Sequence, residues 1–196
     1  MVRPQSSRLP ARDRILTAAA KLFYREGVQN VGIDRIIAES GVAKMSLYNH
    51  FKSKDALIAA YLQQYDDHWG TWLPQKVEAL ATAPGDRILA IFDILHHWFE
   101  QPDFRGCAFI NSTVELADPD HPGYRVAVKH KQMSFDYILS LAKAAALPHP
   151  ADLAQQVQIL IEGAIVVAMM QRNPTVALQA KQAATALIAA AKPDHG

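Results

Sequence analysis

Apolar residues recur every three or four positions along most of the chain, and this spacing predicts helices. In the first of them, Ala11–Glu26, the residues Ile15, Ala19, Leu22 and Phe23 share one face. Runs of alternating β-branched residues, which would predict strands, are missing from the sequence. Proline and glycine divide the helical pattern into about nine or ten segments. The pattern therefore predicts an all-α protein.

Two short helices follow the first, about Ile33–Glu39 and Lys44–His50, and the tight turn Ser40–Val42 joins them. Each is too short to be stable alone, so their apolar residues must pack against the first helix. This arrangement is typical of a helix-turn-helix unit, in which the second short helix is held out toward the major groove of DNA.

Longer helices are predicted for the rest of the chain. The fourth covers Lys54–Trp69, and Gly70 and Pro74 mark its end. The remaining helices are predicted over Pro74–Ala83, Pro84–Glu100, Phe104–Ala117, Tyr124–Ala146, Ala151–Arg172 and Thr175–Lys192.

The last two predicted helices have the strongest apolar pattern. Ile159 to Met170, interrupted by Glu162, is apolar on nearly all sides, which indicates burial on two sides, yet the run is too short to span a bilayer. The final helix is rich in alanine, whose small side chain lets helices approach closely. Residues 151–172 and 175–192 therefore predict a symmetric four-helix interface of a homodimer, which a bulky charge at Ala184 should break. The alternative is one large core without a partner.

Composition places the chain among globular proteins. Half of its 196 residues are hydrophobic and a fifth are charged. The lone cysteine, Cys107, excludes an intramolecular disulfide and favours a reducing compartment. The first ten residues lack the apolar core of a secretory signal. We therefore expect a cytoplasmic protein.

Charge is divided unevenly between the two parts of the chain. Ten basic and five acidic residues precede position 57, a local net charge of +5, which leaves −4 for the rest of a chain whose total is +1. A small basic head on a larger acidic body indicates that the head contacts a polyanion.

Residues 11–58 resemble the N-terminal domain of TetR-family transcriptional regulators. The segments that carry the resemblance are Arg14–Leu16, Ala19–Phe23, Gly27, Ile36–Val42, Leu47–Phe51 and Lys52–Leu57. The resemblance implies an N-terminal arm and DNA-binding domain over residues 1–56 and a helical effector-binding and dimerisation domain over 57–196. It also implies a repressor that a small-molecule effector releases from a palindromic double-stranded operator.

Side chains on the second short helix have the chemistry to read DNA. Lysine can donate to guanine, asparagine can pair with adenine, and Met45 can contact a thymine methyl group. Hydroxyl, imidazole and ammonium groups suit phosphates, and the backbone amides near Gly32 can bind one as well. Where Gly32 and Ala43 stand, the family usually has Ser or Thr, so we expect one contact fewer or a different cap, without loss of function. The predicted DNA-binding residues are Gly32, Ala43, Lys44, Met45, Ser46, Tyr48, Asn49, His50 and Lys54.

The middle of the chain is aromatic, with polar groups interleaved, as in many small-molecule pockets. Most of these aromatics can equally be core residues. The predicted effector-binding residues are Trp98, Phe109, Asn111 and Glu115. A metal site using Glu115, His121 and His130, with His96 or His97, is the alternative, but their spacing does not match paired ligands on one helical face. We therefore predict neither a metal nor another cofactor.

Two other classes of function compete with regulation. An enzyme is disfavoured because no metalloprotease, nucleophile-elbow, P-loop or dinucleotide-binding motif is present. A helical interaction protein that no longer binds DNA is the second alternative. Salt distinguishes it, because binding to DNA through a basic head weakens steeply as salt is added.

Overall fold

The computed structural model describes residues 9–191, and within them the chain forms nine helices and no strand. The all-α prediction is confirmed. Arg3 and Arg8 of the predicted basic arm, and Lys192 at the predicted end of the last helix, lie outside the described residues. The helices are α1 Ala11–Glu26, α2 Ile33–Ser40, α3 Lys44–His50, α4 Lys54–Leu80, α5 Pro84–Phe99, α6 Ala108–Leu116, α7 Pro122–Ala144, α8 Pro150–Gln171 and α9 Val176–Ala191.

The chain divides into two compact units. The first contains the chain up to Tyr65 together with Ala108–Ala127, and the second contains Asp66–Cys107 and the chain from Val128 onward. Helix α6 is therefore grouped with the N-terminal helices, although it lies far from them in sequence. The predicted domains, 1–56 and 57–196, do not coincide with these units and stay a prediction about function.

In the first unit, α1 packs against both short helices, α2 and α3. All four residues predicted to share the apolar face of α1 are buried. Ile36 of α2 and Leu47 of α3 are fully buried as well. The two short helices are thus stabilised by a common core, as their length requires.

The predicted break near Gly70 is wrong, because α4 continues to Leu80 with Pro74 inside it. Proline removes one backbone hydrogen bond, but Leu73 and Val77 on either side of it are buried. Gly70 gives close packing instead of a helix end: a Cβ there would lie 3.1 Å from Met133 Sδ. Tertiary packing thus maintains a helix that local pattern predicts to end.

Other helix boundaries differ from the predictions by at most four residues. Helices α5, α7 and α8 begin on Pro84, Pro122 and Pro150. Proline suits the first turn of a helix because the N–H that it lacks has no partner there. Helix α6 begins at Ala108, four residues after the predicted start.

The core of the second unit forms where α5, α8 and α9 pack together. Ala184 of α9 is 0 % exposed within this single chain. A bulky charge at Ala184 would therefore disrupt the chain's own core, so loss of the dimer in such a variant would not by itself locate the interface.

Helix α8 has an unburied apolar stripe. Ile159 and Met170 are 61 % and 75 % exposed, and Val167 lies between them on the same side. By length and composition alone this helix could cross a membrane, with a mean hydropathy of 1.6 over its most apolar window, of which 39 % is buried in the protein. The run from Ile159 is shorter than a membrane span, but the helix that contains it is not.

Candidate nucleic-acid interface

The turn between α2 and α3 is fixed from two directions. Gly41 has φ 61° and ψ 36°, the left-handed conformation that glycine adopts without strain, and its N–H donates to the Ile37 carbonyl at 2.9 Å. From α1, Arg14 Nη2 donates to the carbonyl oxygens of Ser40 at 2.5 Å and Gly41 at 2.7 Å. The sequence showed Arg14 only as a motif residue and a positive charge beside Ile15, so its role as a clamp was missed.

Helix α3 is anchored by its buried side. Leu47 is fully buried, and Phe51, just after the helix, lies in the core under the guanidinium of Arg12, whose Cζ is 5.4 Å from the ring centre. This anchoring turns Met45 outward, where it is 71 % exposed. The remaining outward positions of α3 are polar or aromatic: Lys44, Tyr48, Asn49 and His50.

All nine residues predicted to bind DNA belong to the first unit. Ser46 and Lys54 are half-buried and the other seven are exposed. Lys54 Nζ donates to the Gln29 carbonyl at 3.3 Å, so this ammonium group also has a partner within the protein.

Neither short helix has a side-chain cap. Gly32 and Ala43 occupy the N-cap positions of α2 and α3 with extended backbones, and no side chain hydrogen-bonds to either helix start. Helix α4 differs, because Ser53 Oγ accepts the Ala56 N–H at 3.1 Å. The departures at Gly32 and Ala43 thus leave first-turn amides without the hydroxyl partner that Ser or Thr supplies.

Several cations of the head are paired with acids. Lys44 Nζ lies 3.1 Å from Asp34 Oδ1, and Lys21 Nζ lies 2.7 Å from Glu39 Oε1. The hydrogen bond from Lys21 lowers the pKa of Glu39. These pairs are exposed and exchange readily with other ions. To contact a base, the Lys44 ammonium group must therefore leave the Asp34 carboxylate or contact both groups at once.

The four residues predicted to bind an effector do not fall in one unit. Phe109, Asn111 and Glu115 belong to α6 in the first unit, whereas Trp98 belongs to the second. Phe109 is buried and Asn111 is half-buried. Glu115 Oε2 accepts the backbone N–H of Gln29 at 2.9 Å.

Trp98 belongs to an aromatic cluster that is incompletely buried. Its ring centre lies 5.0 Å from that of Phe104, in an edge-on arrangement, and 5.5 Å from that of Trp69. Trp72 extends the cluster, 5.1 Å from Trp69. Each of these four rings is half-buried, so part of their apolar surface stays accessible within the unit.

The residues of the alternative metal site have separate partners. His121 Nε2 lies 3.3 Å from Asp55, and His130 Nδ1 lies 3.0 Å from Asp66. Among residues 9–191, no group of three or more histidine, cysteine or acidic side chains is placed to hold a metal ion.

Comparisons with known proteins agree on one family. The family model for bacterial regulatory proteins of the tetR family matches residues 15–61. A TetR-type regulator from Streptomyces avermitilis is 32 % identical, with a TM-score of 0.83, over 93 % of this chain and 98 % of that one. A TetR-family regulator from Streptomyces coelicolor is 31 % identical, also with a TM-score of 0.83, over 92 % and 95 %. The HTH-type transcriptional regulator YjdC of Escherichia coli is 22 % identical over 162 residues, 83 % of this chain and 85 % of that protein.

Proposed function

Since the chain belongs to the TetR family of helix-turn-helix transcriptional regulators, we propose that it acts as a homodimeric repressor that an apolar effector releases from a palindromic operator. The observation that carries the DNA-binding part is the outward face of α3. Two turns of helix, anchored by Leu47, hold Lys44, Met45 and Asn49 away from the core. An exposed, rigidly mounted helix of this kind fits the major groove.

The exposed residues form two groups, one with chemistry suited to base edges and one with chemistry suited to phosphates. Lys44 and Asn49 can donate to base edges, and Met45 offers an apolar contact for a thymine methyl group. Tyr48 and His50 have donors for phosphate oxygens, as do Ser46, Lys54 and the backbone at Gly32 and Ala43. This division predicts that the first group sets sequence preference and the second sets overall affinity.

The exposed stripe of α8 supports the dimer. Ile159, Gly163, Val167 and Met170 recur at intervals of four, four and three residues, so they lie along one side of the helix. An added Cβ at Gly163 meets nothing within 4 Å in this chain, which leaves room for a close partner helix. In a dimer joined through α8 and α9, a palindromic operator requires the two α3 helices to lie about 34–36 Å apart.

The aromatic cluster around Trp98 supports effector binding. Half-buried rings offer the apolar, polarisable surface that small ligands use. An effector releases DNA only if it binds one conformation of the dimer more tightly than the other. Repression then follows from occupancy of the promoter, and cytoplasmic location fits a regulator of genes. Phe109 and Asn111, which belong to the first unit, stay predictions as effector-binding residues.

Selection of bound duplexes from a random pool tests the proposal directly. The expected product is a palindrome whose half-sites are about 10–10.5 base pairs apart, or a multiple of this spacing. Binding to it should weaken steeply as salt is raised. On a template with that operator upstream, transcription should fall when the protein is added, and an increase would indicate an activator. A protein that selects no duplex at low salt would refute the DNA-binding role.

Effector binding can be measured separately. The chain has three tryptophans, and Trp69, Trp72 and Trp98 all belong to the aromatic cluster. Intrinsic tryptophan fluorescence therefore reports ligands at this site, and a ligand that changes it should also release the operator. A ligand that releases DNA without changing the fluorescence would place the effector elsewhere.

A further inference from the structure

The segment between α1 and α2 is held in place mainly by two valines. Val28 and Val31 are each 1 % exposed, whereas Gln29 and Asn30 between them are exposed. This segment leads directly into α2, so its position sets where the helix-turn-helix begins. A residue that holds its exposed middle therefore influences the placement of α2 and, through Gly41, of α3.

Glu115 contacts that exposed middle from α6. Its Oε2 accepts the Gln29 backbone N–H at 2.9 Å, and its backbone carbonyl accepts the Gln29 side-chain amide at 3.2 Å. Both residues belong to the first unit, although they are 86 positions apart in sequence. Two hydrogen bonds between one pair of residues fix both the distance and the orientation of the loop.

Gly27 makes this approach possible. A Cβ on Gly27 would lie 2.8 Å from each carboxylate oxygen of Glu115, closer than real Cβ atoms come to a neighbour, so the carboxylate would have to move. The residue also has φ 90°, a conformation that other residues rarely adopt. The carboxylate thus occupies the space that a side chain at position 27 would need.

The other side of Gln29 is held by Lys54. The Gln29 carbonyl accepts from Lys54 Nζ at 3.3 Å, at the start of α4. The same peptide segment is therefore tied to α6 through its N–H and to a proposed phosphate-binding residue through its carbonyl.

We propose that Glu115 is a positioning residue for operator binding, which holds the Gly27–Gly32 loop so that α3 is presented in the orientation that the major groove accepts. The inference rests on the proposed DNA-binding function. Loss of the carboxylate removes the acceptor of the Gln29 backbone N–H and so loosens the loop, which widens the range of orientations open to α2 and α3. A specific complex requires one orientation, whereas non-specific contact with phosphates does not, so the operator complex loses more.

The test compares three variants on the selected operator and on random DNA. Glu115→Ala should weaken operator binding about tenfold, the loss expected for a hydrogen bond to a charged group, and change random binding less than about twofold. Glu115→Gln keeps an acceptor oxygen at the same reach and should retain most of the affinity. Val114→Ala, a change at the neighbouring exposed position of α6, should bind as the parent protein does.

Amide exchange at Gln29, followed by NMR, reports on the contact itself. Exchange should be faster in Glu115→Ala than in the parent, and close to the parent in Glu115→Gln. Glu115→Asp provides a second variant that keeps the charge but withdraws it by one methylene group, and it should lose affinity as the alanine variant does.

Parental operator affinity in both the alanine and aspartate variants, or unchanged exchange at Gln29, would overturn the inference. A parent protein that binds no DNA would instead refute the proposed function. The two failures are therefore distinguishable.

Discussion

Arg14 on the first helix donates a hydrogen bond to the backbone carbonyl of Gly41 at 2.7 Å, although the two residues are 27 positions apart. The same guanidinium nitrogen bonds the neighbouring carbonyl of Ser40. Carbonyls at the end of a helix lack partners within it, so Arg14 supplies one where α2 must stop. The bend that separates α2 from α3 is thereby tied to the body of the first unit.

Removal of this clamp should destabilise the protein. Arg14→Met keeps much of the aliphatic stem but loses the hydrogen bonds to Ser40 and Gly41, so we expect a loss of about 1–3 kcal/mol in the free energy of unfolding. Urea denaturation measures it. Lys52→Met, a change at an exposed position that also removes one positive charge, serves as the control and should have little effect. Equal stability of the two variants would contradict the clamp.

Substitution by alanine should change the stability of the protein differently at two glycines of the basic head. Gly41→Ala places a side chain in the left-handed region and brings its Cβ to 3.0 Å from Arg14 Nη2, so it should cost about 1–2 kcal/mol. Gly32 has φ −83° and open space around it, and Gly32→Ala should change stability little. Thermal unfolding of both variants checks the contrast. A Gly41→Ala protein as stable as the parent would show that the turn relaxes freely.

Base and phosphate contacts should be separable on α3. Asn49→Ala should weaken operator binding by about 1–3 kcal/mol and leave random DNA nearly unaffected, because the amide reads a base edge. Tyr48→Phe removes one hydroxyl suited to a phosphate and should weaken both kinds of binding by a similar factor of about two to ten. Fluorescence anisotropy on the two duplexes measures both. If Asn49→Ala lowered both affinities equally, base readout by Asn49 would be wrong.

The proposed dimer depends on the exposed stripe of α8. Ile159→Glu would bury one carboxylate from each copy at the symmetric interface and should raise the dimer dissociation constant at least about a hundredfold. Val114→Glu, which places the same charge at an equally apolar exposed position of α6, should leave the dimer intact. Sedimentation velocity distinguishes monomer from dimer. A dimeric Ile159→Glu variant would exclude this stripe as the interface.

The free energy of unfolding should decrease as pH is lowered, over a range set by the pKa of His130. Burial lowers the pKa of this imidazole from its usual 6.5 to about 4, although the hydrogen bond with Asp66 opposes the shift. Between these values the unfolded chain binds a proton that the folded protein does not, so stability present above pH 6.5 is lost as pH falls toward 4. The free energy of unfolding should drop by about 2–3 kcal/mol by pH 4.5 through this residue.

The measurement compares urea unfolding of the parent and His130→Gln at pH 8 and pH 5. Carboxyl groups that titrate in the same range affect both proteins. The difference between the two proteins in the stability lost from pH 8 to pH 5 therefore reports the contribution of His130. Parallel pH dependences would show that His130 does not contribute.

The local spacing of apolar residues was sufficient to predict the short helices of the basic head and most helix ends. The four apolar residues of α1 are buried as predicted, and α3 is confirmed over Lys44–His50 with the same bounds. The pattern failed at α4, where Gly70 and Pro74 read as an end. Their weak helix propensity is a local property, and the burial of Leu73 and Val77 outweighs it.

The sequence by itself determined that the chain is helical, that residues 33–50 form a helix-turn-helix, and which residues of α3 face away from the core. These properties follow from spacing over a few turns, since a helical period places each side chain. Only the tertiary structure decided that Arg14 clamps the turn, that Glu115 contacts Gln29, and that Ala184 lies inside its own chain. Such relationships depend on which distant segments approach one another, and no local period encodes that.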